Sequence, residues 1–173
     1  MSKVEMVPHD PSWRAAYVAE SQRVARTIGK TVFAVHHIGS TSIAGIYAKP
    51  VIDILVEVLD LSAVDIHSAE MESLGYQVMG EFGIPGRRYF RKDELGVRTH
   101  QIHIFAAGSD QAVRHLAFRD YLIAHPEEAR AYSELKRRLA AKHPDDPEAY
   151  MDGKDAFIKE IDRRAIEWRR SKA

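Results

Sequence analysis

The run Val51–Val58 constrains the fold of this chain more than any other segment. Six of its eight residues are Val, Ile or Leu, and only Asp53 and Glu57 interrupt them. A short aliphatic run of this kind is typical of a strand in the interior of a sheet, because β-branched side chains suit a pleated, buried surface. We therefore expect a sheet with Val51–Val58 as a central strand and helices packed against it.

The segments before residue 107 alternate between strand and helix patterns. Asp10-Pro11 is typical of a helix start, and this helix should end near Gly29. A loop at Gly39–Lys49, with one helical turn near Ile43–Tyr47, should separate the first two strands. The other predicted elements are strands at Thr31–Ile38, Tyr76–Met79, Arg87–Lys92 and Val97–Phe105, a helix at Ser62–Leu74 and a turn at Asp93–Gly96.

The remainder of the chain, from about residue 109, predicts three helices. They should span Ser109–Ala124, Pro126–Lys142 and Pro147–Arg170, with two of the prolines in first-turn positions. A length of 173 residues and the lack of a polar linker favour a single domain over residues 1–173. The predicted class is α/β (α+β), a mixed sheet flanked by helices, with a helical C-terminal part.

Charge and composition narrow the classes of function. The chain has 25 Lys+Arg and 25 Asp+Glu, so its formal net charge is zero, which argues against a nucleic-acid partner and against a membrane partner, since proteins that bind either are usually basic. It has no cysteine, so thiolate chemistry is excluded. Met1–Pro8 is polar and does not resemble a signal peptide, and the apolar runs are too short to span a bilayer. These features predict a cytoplasmic protein.

The segment from Gly39 to Ser42 has the composition of a phosphate-binding turn. Gly39 allows close approach of the backbone, and Ser40, Thr41 and Ser42 add hydroxyl donors. Asp53 follows in an apolar strand, where a carboxylate is costly to bury without a metal, a cation or hydrogen-bond donors. We expect the turn, Lys49 and Asp53 to line one substrate-binding cleft. A capped turn, with Asp53 paired to Lys49, is the structural alternative.

Several spaced motifs resemble those of the GrpB family, whose fold is that of the nucleotidyltransferase (polymerase-beta-like) superfamily. The motifs are HIGSTS at residues 37–42, AKPVIDILV at 48–56, VPHDPSW at 7–13, GIPGRRYF at 83–90, IHI at 102–104, HLAFRDYL at 115–122, and the segment Tyr150–Phe157. The resemblance covers nearly the whole chain.

The resemblance implies a nucleoside triphosphate held by a Gly-Ser turn and divalent metals held by carboxylates. Gly39 and Ser40 match the turn, and Asp53 matches the first carboxylate. The second carboxylate position falls on Leu55, and the third falls on a strand where His103 is the candidate. Asp53 and His103 are therefore the expected catalytic and metal-binding residues, for one Mg²⁺ or Mn²⁺. Neither a P-loop nor a Rossmann fingerprint indicates an organic cofactor.

Two basic features could bind phosphate as well. Arg87, Arg88, Arg91 and Lys92 follow a glycine-rich loop, and alternation along a strand sends Arg87 and Arg88 to opposite faces. We expect Arg87 or Arg88 to clamp phosphate, although a solvated edge strand has the same pattern. Lys154, near the start of the last helix, could also reach a phosphate, although a surface lysine is the simpler interpretation.

Three functions remain open on these residues. The leading hypothesis is transfer of a nucleotidyl or phosphoryl group from a nucleoside triphosphate to an unknown acceptor, with Asp53 holding the metal. The second is a catalytically silent module that binds a nucleotide, another phosphorylated small molecule or a partner. The third is a single-metal phosphohydrolase that uses Asp53 and His103.

Overall fold

The computed structural model describes residues 5–172, and its centre is one five-stranded mixed sheet. The strand order is β1-β2-β5-β4-β3, with β2 and β5 parallel and the other neighbours antiparallel. The strands are β1 Val32–Ile38, β2 Ile52–Val58, β3 Tyr76–Val78, β4 Arg88–Glu94 and β5 Val97–Ala106. The aliphatic run thus forms an interior strand, as predicted.

Six helices cover the two faces of this sheet. They are α1 Ser12–Ile28, α2 Leu61–Asp65, α3 Ser68–Ser73, α4 Asp110–Ala124, α5 Pro126–Lys142 and α6 Pro147–Ser171. The first three helices pack on one face, where Val24 and Ile28 of α1 join Ile54 and Val56 of β2 in the main core. The last three pack together on the other side, and α4 contacts the sheet there. This arrangement confirms the mixed α/β class and the helical C-terminal part.

The alternation of side chains along β2 explains its composition. Ile54 and Val56 point into the core formed with α1, whereas Leu55 points to α4 and packs near Leu116. Asp53 and Glu57 share the α4 face with Leu55. Because both faces of β2 are covered, only a polar group with a specific partner is tolerated there.

Three predicted boundaries were wrong in detail. The helical turn after β1 is a 3₁₀ turn at Ser40–Ser42, not at residues 43–47, because it begins directly after Gly39 leaves the strand. The helix predicted at residues 62–74 is two short helices, α2 and α3. Strands β4 and β5 extend to a two-residue turn at Leu95–Gly96, where both φ angles are positive, as a tight hairpin requires.

Helices capable of crossing a membrane are absent from the described part of the chain, residues 5–172. The segment Met1–Pro8, judged above not to resemble a signal peptide, lies partly outside the described residues.

Candidate functional site

A pocket of about 240 Å³ lies beside the start of β2, between the sheet and the last two helices. Its polar lining comes from the turn after β1, from Lys49 and the start of β2, from Gln101 of β5, and from α5 and α6. The charged and hydroxyl-bearing lining residues are Ser40, Thr41, Lys49, Asp53, Lys136, Tyr150 and Lys154. Segments that are distant in sequence therefore converge on one small polar cavity.

Gly39 brings the turn after β1 into contact with the Asp53 carboxylate. Its φ angle is +74°, and a Cβ atom at this position would lie 2.6 Å from Asp53 Oδ2. Any larger residue would need a strained backbone and would displace the carboxylate. The glycine therefore sets the distance between the turn that carries Ser40 and the strand that carries Asp53.

Two of the predicted hydroxyl donors stabilise this turn. Thr41 is buried, and its Oγ1 lies 2.9 Å from Nε2 of His37, whose ring stacks on Tyr17. Burial lowers the pKa of His37 to about 4, so this histidine is neutral. The Ser42 hydroxyl donates to the carbonyl of Gly39. Of the three, Ser40 and Thr41 line the pocket, and Ser42 closes the turn from outside.

Asp53 and His103 meet, as the sequence predicted. His103 Nε2 lies 3.2 Å from Asp53 Oδ1, and His103 Nδ1 lies 3.5 Å from Arg87 Nη1. A guanidinium group can only donate hydrogen bonds, so Nδ1 must be the accepting nitrogen. The remaining ring proton is then on Nε2, where it is donated to the carboxylate.

Arg87 lies behind this pair and holds the neighbouring loop. Its guanidinium donates to the carbonyl oxygens of Glu81, at 3.2 Å, and Phe82, at 2.9 Å, and stacks over the ring of Tyr89. The side chain is buried, and burial lowers its pKa. Because its donors are engaged by the protein, Arg87 acts on the site through His103.

The prediction that Arg88 could clamp phosphate was wrong, because the structure does not bring this residue to the site. It points to the opposite face of the sheet, the α1 side, where Nε donates to Asp65 Oδ1 at 2.7 Å. Alternation in β4 forces this result, since Arg87 and Arg88 cannot share a face.

The residues present do not fit a two-metal centre. Leu55, at the position of the second carboxylate, is fully buried among apolar side chains. Glu57 lies farther along β2, where His36 Nε2 is 3.5 Å from its carboxylate. No group of three or more His, Asp and Glu side chains suited to a metal occurs among residues 5–172. A metal on His103 Nε2 would also require the proton on Nδ1, facing the Arg87 donor.

Three lysines dominate the electrostatics of the pocket. Lys136, from α5, is only 2% exposed, and its Nζ lies 2.6 Å from Ser40 Oγ and 2.8 Å from the carbonyl oxygen of Tyr47. Burial, with repulsion from the other two lysines, lowers its pKa to about 7. Burial and repulsion from Lys49 lower the pKa of Lys154 to about 8, and burial lowers that of Lys49.

An aromatic side chain connects two of these lysines. The Nζ atoms of Lys49 and Lys154 lie 4.5 Å and 4.7 Å from the centre of the Tyr150 ring. Lysine ammonium groups over a tyrosine ring are held by its negative face. The structure therefore brings Lys49 and Lys154 of the sequence prediction into one site with Asp53.

Lys136 is the functional candidate that the sequence analysis missed. A lysine in a helix usually lies on the solvated face, and no motif marked this one. The signal was its position: α5 buries residues at intervals of three and four, and Lys136 occupies one of them. The buried positions of α5 are Ala129, Tyr132, Ser133, Lys136 and Ala140.

Comparison with known proteins identifies relatives along nearly the whole chain. The UPF0157 protein YqkA of Bacillus subtilis is 43% identical over 170 residues, and the match covers 98% of this chain and 49% of YqkA. The chain thus spans about half the length of that relative. A more distant match, 29% identical, covers 95% of this chain and 46% of a Mycolicibacterium paratuberculosis protein named dephospho-CoA kinase.

The fold has a close counterpart in a solved structure. The crystal structure of conserved protein GrpB from Enterococcus faecalis is 42% identical and has a TM-score of 0.91, with 94% of this chain and 98% of that chain covered. The family model described as GrpB protein matches residues 3–164, a range that includes every residue of the pocket. This chain belongs to the GrpB family.

Proposed function

We propose that the pocket binds the phosphate groups of a small molecule, and that a nucleotide is its natural ligand. The observation that carries this proposal is the convergence of Lys49, Lys136 and Lys154 on a cavity with one carboxylate, Asp53. These three buried or half-buried lysines disfavour one another's protonation, and an anion among them offsets that effect. The cavity suits a polyphosphate better than an apolar group.

The pocket is large enough to enclose only part of a nucleotide. Sites for drug-sized molecules usually measure about 300–1,000 Å³, and this cavity is smaller, about 240 Å³. The phosphates would lie inside, with the rest of the ligand toward the opening. Tyr150 is almost fully buried in the pocket wall, where it contacts Lys49 and Lys154 and so helps to position these two lysines for the phosphates.

We propose further that the fold is of the nucleotidyltransferase type, as the resemblance implies, and that three lysines replace the metals of that superfamily. Lysine is a common phosphate ligand, and it neutralises charge without a carboxylate cage. Binding by lysines alone requires no divalent ion. The prediction for this site is therefore affinity for a nucleotide in the presence of EDTA.

A second candidate function is group transfer assisted by one Mg²⁺ or Mn²⁺ ion at Asp53. It would use the Asp53 carboxylate, with His103 Nε2 at 3.2 Å from Oδ1, and it would require the His103 proton to move to Nδ1. This candidate predicts that binding or turnover requires the ion.

Thermal unfolding in the presence of ligands tests both candidates. The panel is pyrophosphate, ATP, GTP, CTP, UTP and dephospho-coenzyme A, each with EDTA, Mg²⁺ or Mn²⁺; the last is included because of the relative named dephospho-CoA kinase. A ligand at about 100 times its Kd should stabilise the fold by roughly 2.7 kcal/mol. Stabilisation in EDTA supports the lysine site, and stabilisation only with Mg²⁺ or Mn²⁺ supports the metal-assisted candidate.

Variants assign the binding to the pocket. Lys49→Met and Lys154→Met should each remove the ligand-induced stabilisation measured in EDTA. The matched control is Lys142→Met, since Lys142 is an exposed lysine at the end of α5. Equal ligand responses in all three variants would refute the proposed site, as would no response of the wild type to any phosphate compound.

A further inference from the structure

Ser40 and Lys136 form a pair that phosphate binding alone does not require. Both residues line the pocket, Lys136 Nζ lies 2.6 Å from Ser40 Oγ, and Lys136 is almost fully removed from solvent. A serine hydroxyl that faces a ligand and is backed by a basic nitrogen is the arrangement of an activated nucleophile. We infer that Ser40 takes a phosphoryl or nucleotidyl group from the bound ligand onto its Oγ, with Lys136 as the general base.

The contacts of Lys136 are consistent with an uncharged amine. As an ammonium group, Nζ donates to both Ser40 Oγ, at 2.6 Å, and the carbonyl oxygen of Tyr47, at 2.8 Å; as an uncharged amine it keeps the donation to Tyr47 and has a lone pair that can accept the Ser40 proton. Such a base must be neutral near pH 7, and the burial of this side chain lowers its pKa to about that value. The Ser–Lys pairing therefore has both the geometry and the protonation state that the role demands.

The charges around the Lys136 amine come from several elements. Lys49 lies before β2 and Lys154 lies in α6, and both disfavour its protonation. Asp53 of β2 favours protonation, while Tyr132, on the same helix, presents its ring 4.5 Å from Nζ. A bound phosphate would add negative charge and favour protonation of Lys136, so proton transfer from Ser40 requires that the amine be uncharged in the complex, which pH above 7 favours.

The proposed step is balanced without a redox partner. Ser40 Oγ forms a bond to phosphorus, and the bond from phosphorus to the leaving oxygen breaks, with its electron pair remaining on that oxygen. The proton of Ser40 passes to Lys136 Nζ and then to the leaving group. Lys49 and Lys154 compensate the charge of the phosphoryl oxygens. Water or an acceptor hydroxyl then attacks the phosphoserine ester, and its proton returns through Lys136 to Ser40.

This inference rests on the proposed function, because the lysines must hold the phosphorylated ligand for Ser40 to reach phosphorus. A binding module without this step would have the same pocket and the same affinity. The two differ in one observable property, which is a covalent adduct on Ser40.

The test is covalent labelling of the intact chain at pH 8 with diisopropyl fluorophosphate, followed by peptide mass spectrometry. This reagent needs a nucleophilic oxygen and releases fluoride, so it reports the Ser–Lys pair without knowledge of the natural ligand. We expect one adduct, on Ser40. It should be absent in Ser40→Ala and should form at least ~100-fold more slowly in Lys136→Met, since a positioned base typically contributes 10²–10⁴-fold.

Ser73→Ala is the matched control, because Ser73 is an exposed serine at the end of α3, outside the pocket, and its hydroxyl donates to the carbonyl of Ala69 instead of contacting a lysine. Its labelling should equal that of the wild type. Labelling of Ser40 in the wild type should also increase with pH through about pH 7, whereas Lys136→Met should lose that inflection. Circular dichroism and thermal unfolding verify that each variant is folded.

Several outcomes would overturn the inference. They are the absence of a Ser40 adduct on the folded wild type, equal rates in Lys136→Met and wild type, or equal labelling of Ser73. A second arm incubates the wild type with each nucleotide of the binding panel and measures intact mass for the gain of a phosphoryl or nucleotidyl group. If nucleotides bind in EDTA but Ser40 is never modified in either arm, the binding proposal stands and the nucleophile is refuted.

Discussion

Replacing Lys136 by methionine should make the protein more stable at pH 7 and less stable at pH 9. Lys136 is almost fully buried, and its pKa falls from 10.5 to about 7 on folding. Because the folded value is the lower one, the unfolded chain binds more protons between pH 7 and pH 10.5, so the stability of the wild type rises with pH in that window. Methionine has a similar length and no charge to desolvate.

The magnitude follows from the pKa and from the contacts that the substitution removes. At pH 7, deprotonating the amine on folding costs roughly 4 kcal/mol, at about 1.36 kcal/mol per unit of pKa. The same cost is about 2 kcal/mol at pH 9. Against it, the substitution removes the donor to the Tyr47 carbonyl, worth about 1–3 kcal/mol, and the hydrogen bond with Ser40 Oγ, worth about 1 kcal/mol. The lost contacts total roughly 3 kcal/mol, so the sign of the difference reverses near pH 8.

Urea unfolding of the wild type and of Lys136→Met at pH 7, 8 and 9 measures this difference. The advantage of the variant should fall by about 2 kcal/mol between pH 7 and pH 9. Lys142→Met, which removes an exposed lysine from the same helix, should show no comparable change. A difference between Lys136→Met and wild type that is constant over pH 7–9 would show that Lys136 is charged in the folded protein, and would remove the basis for its role as a base.

Three further substitutions test other parts of the structure. Gly39→Ala should lower the free energy of unfolding by at least ~2 kcal/mol and remove nucleotide binding, because the new Cβ would lie 2.6 Å from Asp53 Oδ2 at a positive φ. A variant that binds nucleotides as well as the wild type would contradict the close contact. Glu20→Gln should lower the free energy of unfolding by about 3–5 kcal/mol at pH 7, because it leaves the largely buried Lys92 ammonium, 2.5 Å away, without its carboxylate. A decrease of less than 1 kcal/mol in urea unfolding would disprove this. Arg88→Ala should leave ligand-induced thermal stabilisation unchanged, because its guanidinium lies on the opposite face; a weaker response would place Arg88 in the site.

The fold could be predicted from local patterns wherever one signal dominated. The composition of β2 identified an interior strand because both of its faces are buried, and the first-turn prolines of α5 and α6 marked their starts. The break between α2 and α3 had no such marker. Ile66 is an apolar residue in helical spacing, yet it is 76% exposed between the two helices, so periodicity alone gave one helix.

In the candidate site, too, some residues could be predicted from local patterns and others could not. Gly39, Ser40 and Asp53 could be predicted because a turn and the strand that follows it are close in sequence, and antiparallel pairing of β1 with β2 brings them together. Arg87 and Arg88 were distinguishable only as members of opposite faces, and which face carries the pocket depends on where α4–α6 pack. That packing is a tertiary feature, and the residues of β4 alone do not predict it.

Lys136 could have been identified as a candidate site residue from its position in α5. Its helix has the strongly polar composition of a surface element, and a lysine there would ordinarily be solvated. Yet it lies four residues after Tyr132 and four before Ala140, on the stripe that the helix buries. A lysine at a core position is costly unless its amine is paired, neutral or kept for a ligand. The pairing is with Ser40, 96 residues away. A charged residue in the apolar stripe of an amphipathic helix is therefore a pointer to a site even when no motif surrounds it.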